Sequence, residues 1–153
     1  MAFMMSRGLP EVTRLIALLL CLSLSGTLAA ERRAIRPKDF PHGRSFNPGV
    51  LIDGTLYSAG QTGRNWMTGQ VPEDFEAEVR QSLNYVGLIL KEAGMSFEHV
   101  TSVQVVLTDL ALFDRMEKVY REYFKEPYPP RTSFGGVTLA GAARIEITVI
   151  ARK

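Results

Sequence analysis

Two segments with the 3.6-residue period of an amphipathic helix, each bordered by segments with the two-residue period of a strand, leave this chain few folds. In the first, Phe75, Val79, Leu83, Val86 and Leu90 recur three and four residues apart and line one helix face. Pro72 suits a helix start, while Glu73, Asp74 and Glu76 suit the positive end of its dipole. Gly94, following Lys91, suits its end. In the second, Asp109 stands as a cap ahead of Phe113, Met116, Val119, Tyr120, Tyr123 and Phe124, an aromatic stripe that reads as core. Between the two, Val100 to Thr108 sets Val103, Val105 and Leu107 against Ser102, Gln104 and Thr108, which predicts a strand.

Strand signals also stand at both ends. Val50-Leu51-Ile52 and Leu56-Tyr57-Ser58-Ala59 flank Asp53-Gly54, whose residues tolerate the positive φ of a primed hairpin turn. After the second helix, Thr132 to Leu139 reads as a weaker strand and Gly141-Ala142-Ala143 as a turn. The last strand, Arg144 to Ala151, puts Ile145, Ile147 and Val149 on one face and Glu146, Thr148 and Ile150 on the other. The order β-β-α-β-α-β-β predicts an α+β sandwich, one sheet with both helices on one face. A chain this short has no third layer for the other face. Val106, Glu146 and Ile150 would be left to solvent, so association through the sheet is expected.

The apolar run LIALLLCLSL at 15–24, preceded by Arg7 and Arg14 and followed by small residues, has the order of a secretory signal peptide. It falls short of the roughly 20 apolar residues that span a bilayer, and it lacks the polar face of an interfacial anchor. The expected organisation is a cleaved leader over residues 1–30, a polar N-terminal arm over 31–45 and one domain over 46–153, exported to the periplasm or secreted. No membrane association is expected after cleavage. Cys21, the only cysteine, lies in the leader, so the mature domain has no disulfide and no thiol nucleophile. Without Arg7, Arg14 and Glu11, 16 basic residues face 15 acidic ones. That balance gives no electrostatic case for nucleic acid. His42 and His99 show no metal spacing.

Two residues stand out chemically. Pro127, Pro129 and Pro130 stiffen the approach to Arg131, which makes its guanidinium a preorganised fork for a carboxylate. Glu146 is a carboxylate inside an otherwise apolar strand. From the residues alone, two readings stand: a ligand site, or a salt bridge between Arg131 and Glu146 at a subunit interface. The loop at Gly60-Gln61 reads equally as a ligand cradle or a plain turn.

The segments GVLIDGTLYSAGQ (49–61), NWMTGQVPED (65–74), RQSLNYV (80–86), TDLALF (108–113), PPRTS (129–133) and RIEITVIA (144–151), in this order and spacing, resemble the RidA/YjgF family of reactive intermediate deaminases. The resemblance implies a chorismate-mutase-like fold and a homotrimer whose sheets line a central barrel, with ligand sites between subunits. It also implies cofactor-free hydrolysis of 2-imino or 2-enamino acids to 2-keto acids and ammonia. On the matching positions it makes Arg131 the carboxylate-binding arginine and Glu146 the residue that orients water. Backbone near Gly60 and Ser133 would complete the cradle. Phe46 stands where many members carry a tyrosine, Ala59 where a serine is common, and Ser133 where cysteine is frequent. Those departures, together with export, leave an alternative of another class, a secreted trimeric module that binds small carboxylates without turnover.

Overall fold

The computed structural model describes residues 31–153; the leader expected over residues 1–30 lies outside the described residues. The elements run β1 (Arg32–Ile35), β2 (Gly49–Ile52), β3 (Thr55–Ser58), β4 (Gln61–Thr62), α1 (Phe75–Glu92), β5 (Val100–Leu107), α2 (Phe113–Tyr123), β6 (Arg131–Phe134) and β7 (Ile145–Arg152). They form one sheet in the order β1-β2-β3-β7-β5-β6, with β4 pairing on β7 beyond β3. The fold is the expected α+β arrangement of a single sheet and two helices.

Local chemistry accounts for the boundaries. Asp53 and Gly54 take φ of 46° and 73°, the primed turn that matches the twist of β2 and β3. The Asp74 carboxylate accepts a hydrogen bond from Ala77 N at 2.8 Å and caps α1. At the other end Gly94 takes φ 73°, and Met95 N donates to Leu90 O at 2.8 Å, closing the helix with a Schellman motif. Asp109 caps a short 3-10 turn, Leu110–Leu112, that leads into α2. The alternation read in β5 and β7 is borne out: Val103, Val105, Leu107, Ile145, Ile147 and Val149 are buried against Val79, Leu83, Val86 and Leu90 of α1. Each such side chain contributes about 1.5–3 kcal/mol of burial.

Three expectations need correction. Residues 31–45 are not a peripheral arm, because Arg32–Ile35 pairs antiparallel with β2, and Ile35 and Phe40 are buried. The arginines that hid this strand point outward, where an edge strand tolerates charge. The sheet therefore has seven strands, β1 and the two-residue β4 being additional. The strand expected from Thr132 to Leu139 ends at Phe134, and the chain then loops through Gly136, Gly141 and Ala142, all with positive φ.

Candidate active site in two halves

Arg131 opens β6. Its Cα partner in the parallel β5 is Val103, and Val103 N donates to Pro130 O at 3.0 Å, which ties the proline-framed approach to the sheet. The side chain lies on the helix face. Its guanidinium sits 4.5 Å from the Tyr120 ring centroid and 5.4 Å from that of Phe113, and Nη1 approaches Glu117 Oε2 to 2.7 Å. That contact is an ion pair without an aligned N–H, since Glu117 Oε2 is buried and accepts no hydrogen bond. Arg131 thus keeps donors with no acceptor among the described residues. Two aromatic faces and one carboxylate fix its position, at low entropy cost to a ligand. Ser133, two residues on, is on the same face in register with Val105. The Tyr120 hydroxyl is also buried without a hydrogen-bond partner. Burial pushes its pKa up to about 12, an effect the neighbouring Arg131 charge only partly offsets.

Glu146 is on β7 between buried Ile145 and Ile147, so its side chain leaves by the opposite face of the sheet. Its register partners are Val106 on β5 and Thr62 on β4. The carboxylate lies against the Cα of Gly60, where an added Cβ would overlap it, and among the described residues it accepts no hydrogen bond. Gly60 is required here by close approach. The Ala59-Gly60 break between β3 and β4 is held on both sides. Ser58 Oγ accepts from Val149 N at 2.8 Å, and Ser82 Oγ on α1 donates to Gln61 O at 2.6 Å. Phe46, half-exposed, lines the same hollow as Gly60.

The expected site residues therefore form two groups. Gly60, Glu146 and Phe46 belong together, and so do Arg131 and Ser133, but one chain does not bring the groups together. Within one chain Arg131 and Glu146 do not pair, because alternation along the strands sends the two side chains to opposite faces and Arg131 lies against Glu117; the alternative salt bridge would have to cross a subunit interface. Glu117 and Tyr120 were missed as site residues: Tyr120 belongs to the stripe read as core, and the available signal was the carboxylate of Glu117 three residues before it on α2. Also missed was Glu78, fully buried on the core face of α1. It accepts from Arg144 N and Arg144 Nε, both at 2.6 Å, while Arg144 Nη2 donates to Pro72 O and Glu73 O. Among the described residues no group of three or more His, Cys, Asp or Glu side chains is placed to hold a metal ion.

Residues 38–153 match the family described as Endoribonuclease L-PSP. The chain is also 36% identical over 107 residues to the 2-iminobutanoate/2-iminopropanoate deaminase of Bos taurus, across 69% of this chain and 78% of that protein. This chain belongs to the RidA/YjgF family. The fold is that of solved Rid structures: it is similar to the Rid family protein YyfA of Yersinia pestis, with a TM-score of 0.75, 27% identity and coverage of 80% of this chain and 100% of that one. The YjgF gene product of E. coli superposes with a TM-score of 0.72 at 29% identity, over 79% of this chain and 98% of that one. The RidA/YjgF match begins at residue 38, within the segment first read as an arm, in keeping with the burial of Phe40.

Proposed function

We propose that this protein hydrolyses reactive 2-imino and 2-enamino acids to 2-keto acids and ammonia, in a homotrimer whose sites are completed between subunits. One subunit presents Arg131 and Ser133, and its neighbour presents Glu146, Gly60 and Phe46. The observation that carries this reading is the complementary state of the two halves: a fixed guanidinium with unused donors on one face, and a carboxylate with unused acceptors on the other. The exposed sheet face, with Tyr57 and Phe134 about half exposed, offers the surface for assembly.

Arg131 takes the substrate carboxylate with charge-assisted hydrogen bonds and presents the C=N carbon to the opposite wall. Glu146 accepts a proton from water as the water oxygen bonds to that carbon. Glu146 passes that proton to the imine nitrogen to give the carbinolamine, then moves the carbinolamine's hydroxyl proton to its amino group, and the C–N bond breaks as C=O forms, leaving the keto acid and ammonia. Close packing on Gly60 holds the carboxylate in place during this transfer.

The test generates 2-iminobutanoate in situ with an amino-acid oxidase and follows keto-acid release. Wild type accelerates it over buffer, and Glu146→Gln lowers kcat by about 10²–10⁴-fold. No acceleration by wild type rejects the deaminase reading. If 2-ketobutyrate still binds in an Arg131-dependent manner, the protein is instead a carboxylate-binding module. The apolar run at 15–24, preceded by Arg7 and Arg14, supports export as part of the same proposal. N-terminal sequencing of exported protein then starts at about Ala30 or Glu31, and an intact Met1 overturns that.

A further inference from the structure

Phe40, Phe46 and Trp66 line a half-open hollow of about 130 Å³ beside Gly60, together with polar residues that include Gln61 and Asn65. Phe40 meets Trp66 edge to face at 5.2 Å and Phe46 at 5.8 Å. Trp66 is stacked on Tyr85 of α1 at 3.9 Å with an interplanar angle of 11°, and its backbone N–H donates to the Tyr85 hydroxyl at 3.2 Å. The chain that follows β1 is pinned in the same corner. Arg36 Nη2 donates to Asn47 Oδ1 at 2.8 Å, and its guanidinium lies 5.3 Å from the Phe40 ring centroid. The walls are therefore set before a ligand arrives, which removes much of the ordering cost of binding. Arg44 lines the rim, and its guanidinium has no carboxylate partner among the described residues.

We infer that this hollow is the side-chain subsite of the candidate active site and takes an aryl group, making aryl-bearing 2-imino acids, such as 2-imino-3-phenylpropanoate, the preferred substrates. The inference rests on the imine-hydrolase reading. Volume supports it: a cavity of about 150 Å³ holds one benzene ring, and this hollow, at about 130 Å³, has room for a phenyl group against its three aromatic side chains, with the polar side chains of Arg44, Gln61, Arg64 and Asn65 around it. An ethyl side chain, as in 2-iminobutanoate, would leave most of that space to water. The wall chemistry agrees, because aromatic edges and faces favour a further ring over an alkyl chain. Continuity supports it as well. Gly60 belongs to the lining and also carries the Glu146 carboxylate against its Cα, so a ring in the hollow is one short linker from the proposed reacting carbon.

Trp66 is the chain's single tryptophan, so its fluorescence reports on this corner alone. The purified protein is titrated with 3-phenylpropanoate and, separately, with butanoate. The aryl acid is expected to change Trp66 emission and to bind about ten- to a hundredfold more tightly. Equal binding of the two acids, or binding with no change in emission, overturns the inference. In turnover, kcat/KM for 2-imino-3-phenylpropanoate exceeds that for 2-iminobutanoate in wild type, and Trp66→Leu moves the ratio toward one. Phe40→Leu reduces the binding preference while its thermal midpoint, measured in parallel, shows whether the fold holds. If the small imine is turned over and the wild-type ratio is one or less, the subsite is wrong and the deaminase reading stands. If the aryl acid binds but neither imine is hydrolysed, the pocket stands and the deaminase reading falls.

Discussion

Arg144 with Glu78 and Arg131 with Glu117 are the same two residue types, each joining the start of a strand segment to a helix, Arg144 from just before β7 and Arg131 from within β6, yet they are built for different ends. Around Arg144 both carboxylate oxygens of Glu78 accept hydrogen bonds, and Nη2 of the guanidinium donates to the carbonyls of Pro72 and Glu73. Glu78 is fully enclosed and Arg144 is about one-third exposed. Around Arg131 the carboxylate is close but misaligned, and aromatic faces do the holding. A guanidinium with its donors satisfied locks two elements together. One held by ring faces remains able to bind something else.

The largest effect expected from this contrast is on folding. Arg144→Ala strands a buried carboxylate and costs about 3–5 kcal/mol, read as a lower urea midpoint with keto-acid binding preserved in the fraction still folded. Arg131→Ala inverts the pattern. It removes two charge-assisted hydrogen bonds to ligand and lowers kcat/KM by about 10²-fold, while its stability cost stays below that of Arg144→Ala, because Glu117 is about one-quarter exposed and can regain water where Glu78 cannot. A loss of folding as large as that of Arg144→Ala would erase the distinction between the two pairs. Glu117→Gln keeps shape and removes charge, so Arg131 loosens and KM rises roughly two- to fivefold with kcat nearly unchanged.

Tyr120→Phe gives the smallest effect near neutral pH, because the hydroxyl it deletes has no partner. The folded pKa of Tyr120, about 12, stands above its ordinary value of 10. The phenol's contribution is therefore fully present below pH 10 and is lost as pH rises through about 12. Alkaline denaturation of wild type should steepen in that window, and Tyr120→Phe should remove part of the slope. Identical alkaline curves for the two proteins would mean that the phenol is not held neutral by burial.

Periodicity made most of this fold legible. Val103, Val105 and Leu107 on β5, and Ile145, Ile147 and Val149 on β7, are buried where alternation puts them, and Asp53-Gly54 turns as its φ tolerance demands. The strand at Arg32–Ile35 escaped because an edge strand with one buried residue has no period to detect. Glu78 escaped because a carboxylate on an apolar helix face reads as an exception until its partner is known, and Arg144 is 66 residues away.

What the sequence determined by itself is local and periodic: element types, the hairpin, the stiff approach to Arg131, the face from which Glu146 emerges and, through the ordered motifs, the family. Tertiary structure decided what no period encodes. It paired Arg131 with Glu117 rather than Glu146, enclosed Glu78, and folded Phe40 back onto Trp66 beside Gly60. The physical reason is that a repeat of two or 3.6 residues fixes the side on which a residue lies, whereas its partner on that side is set by which distant element packs there.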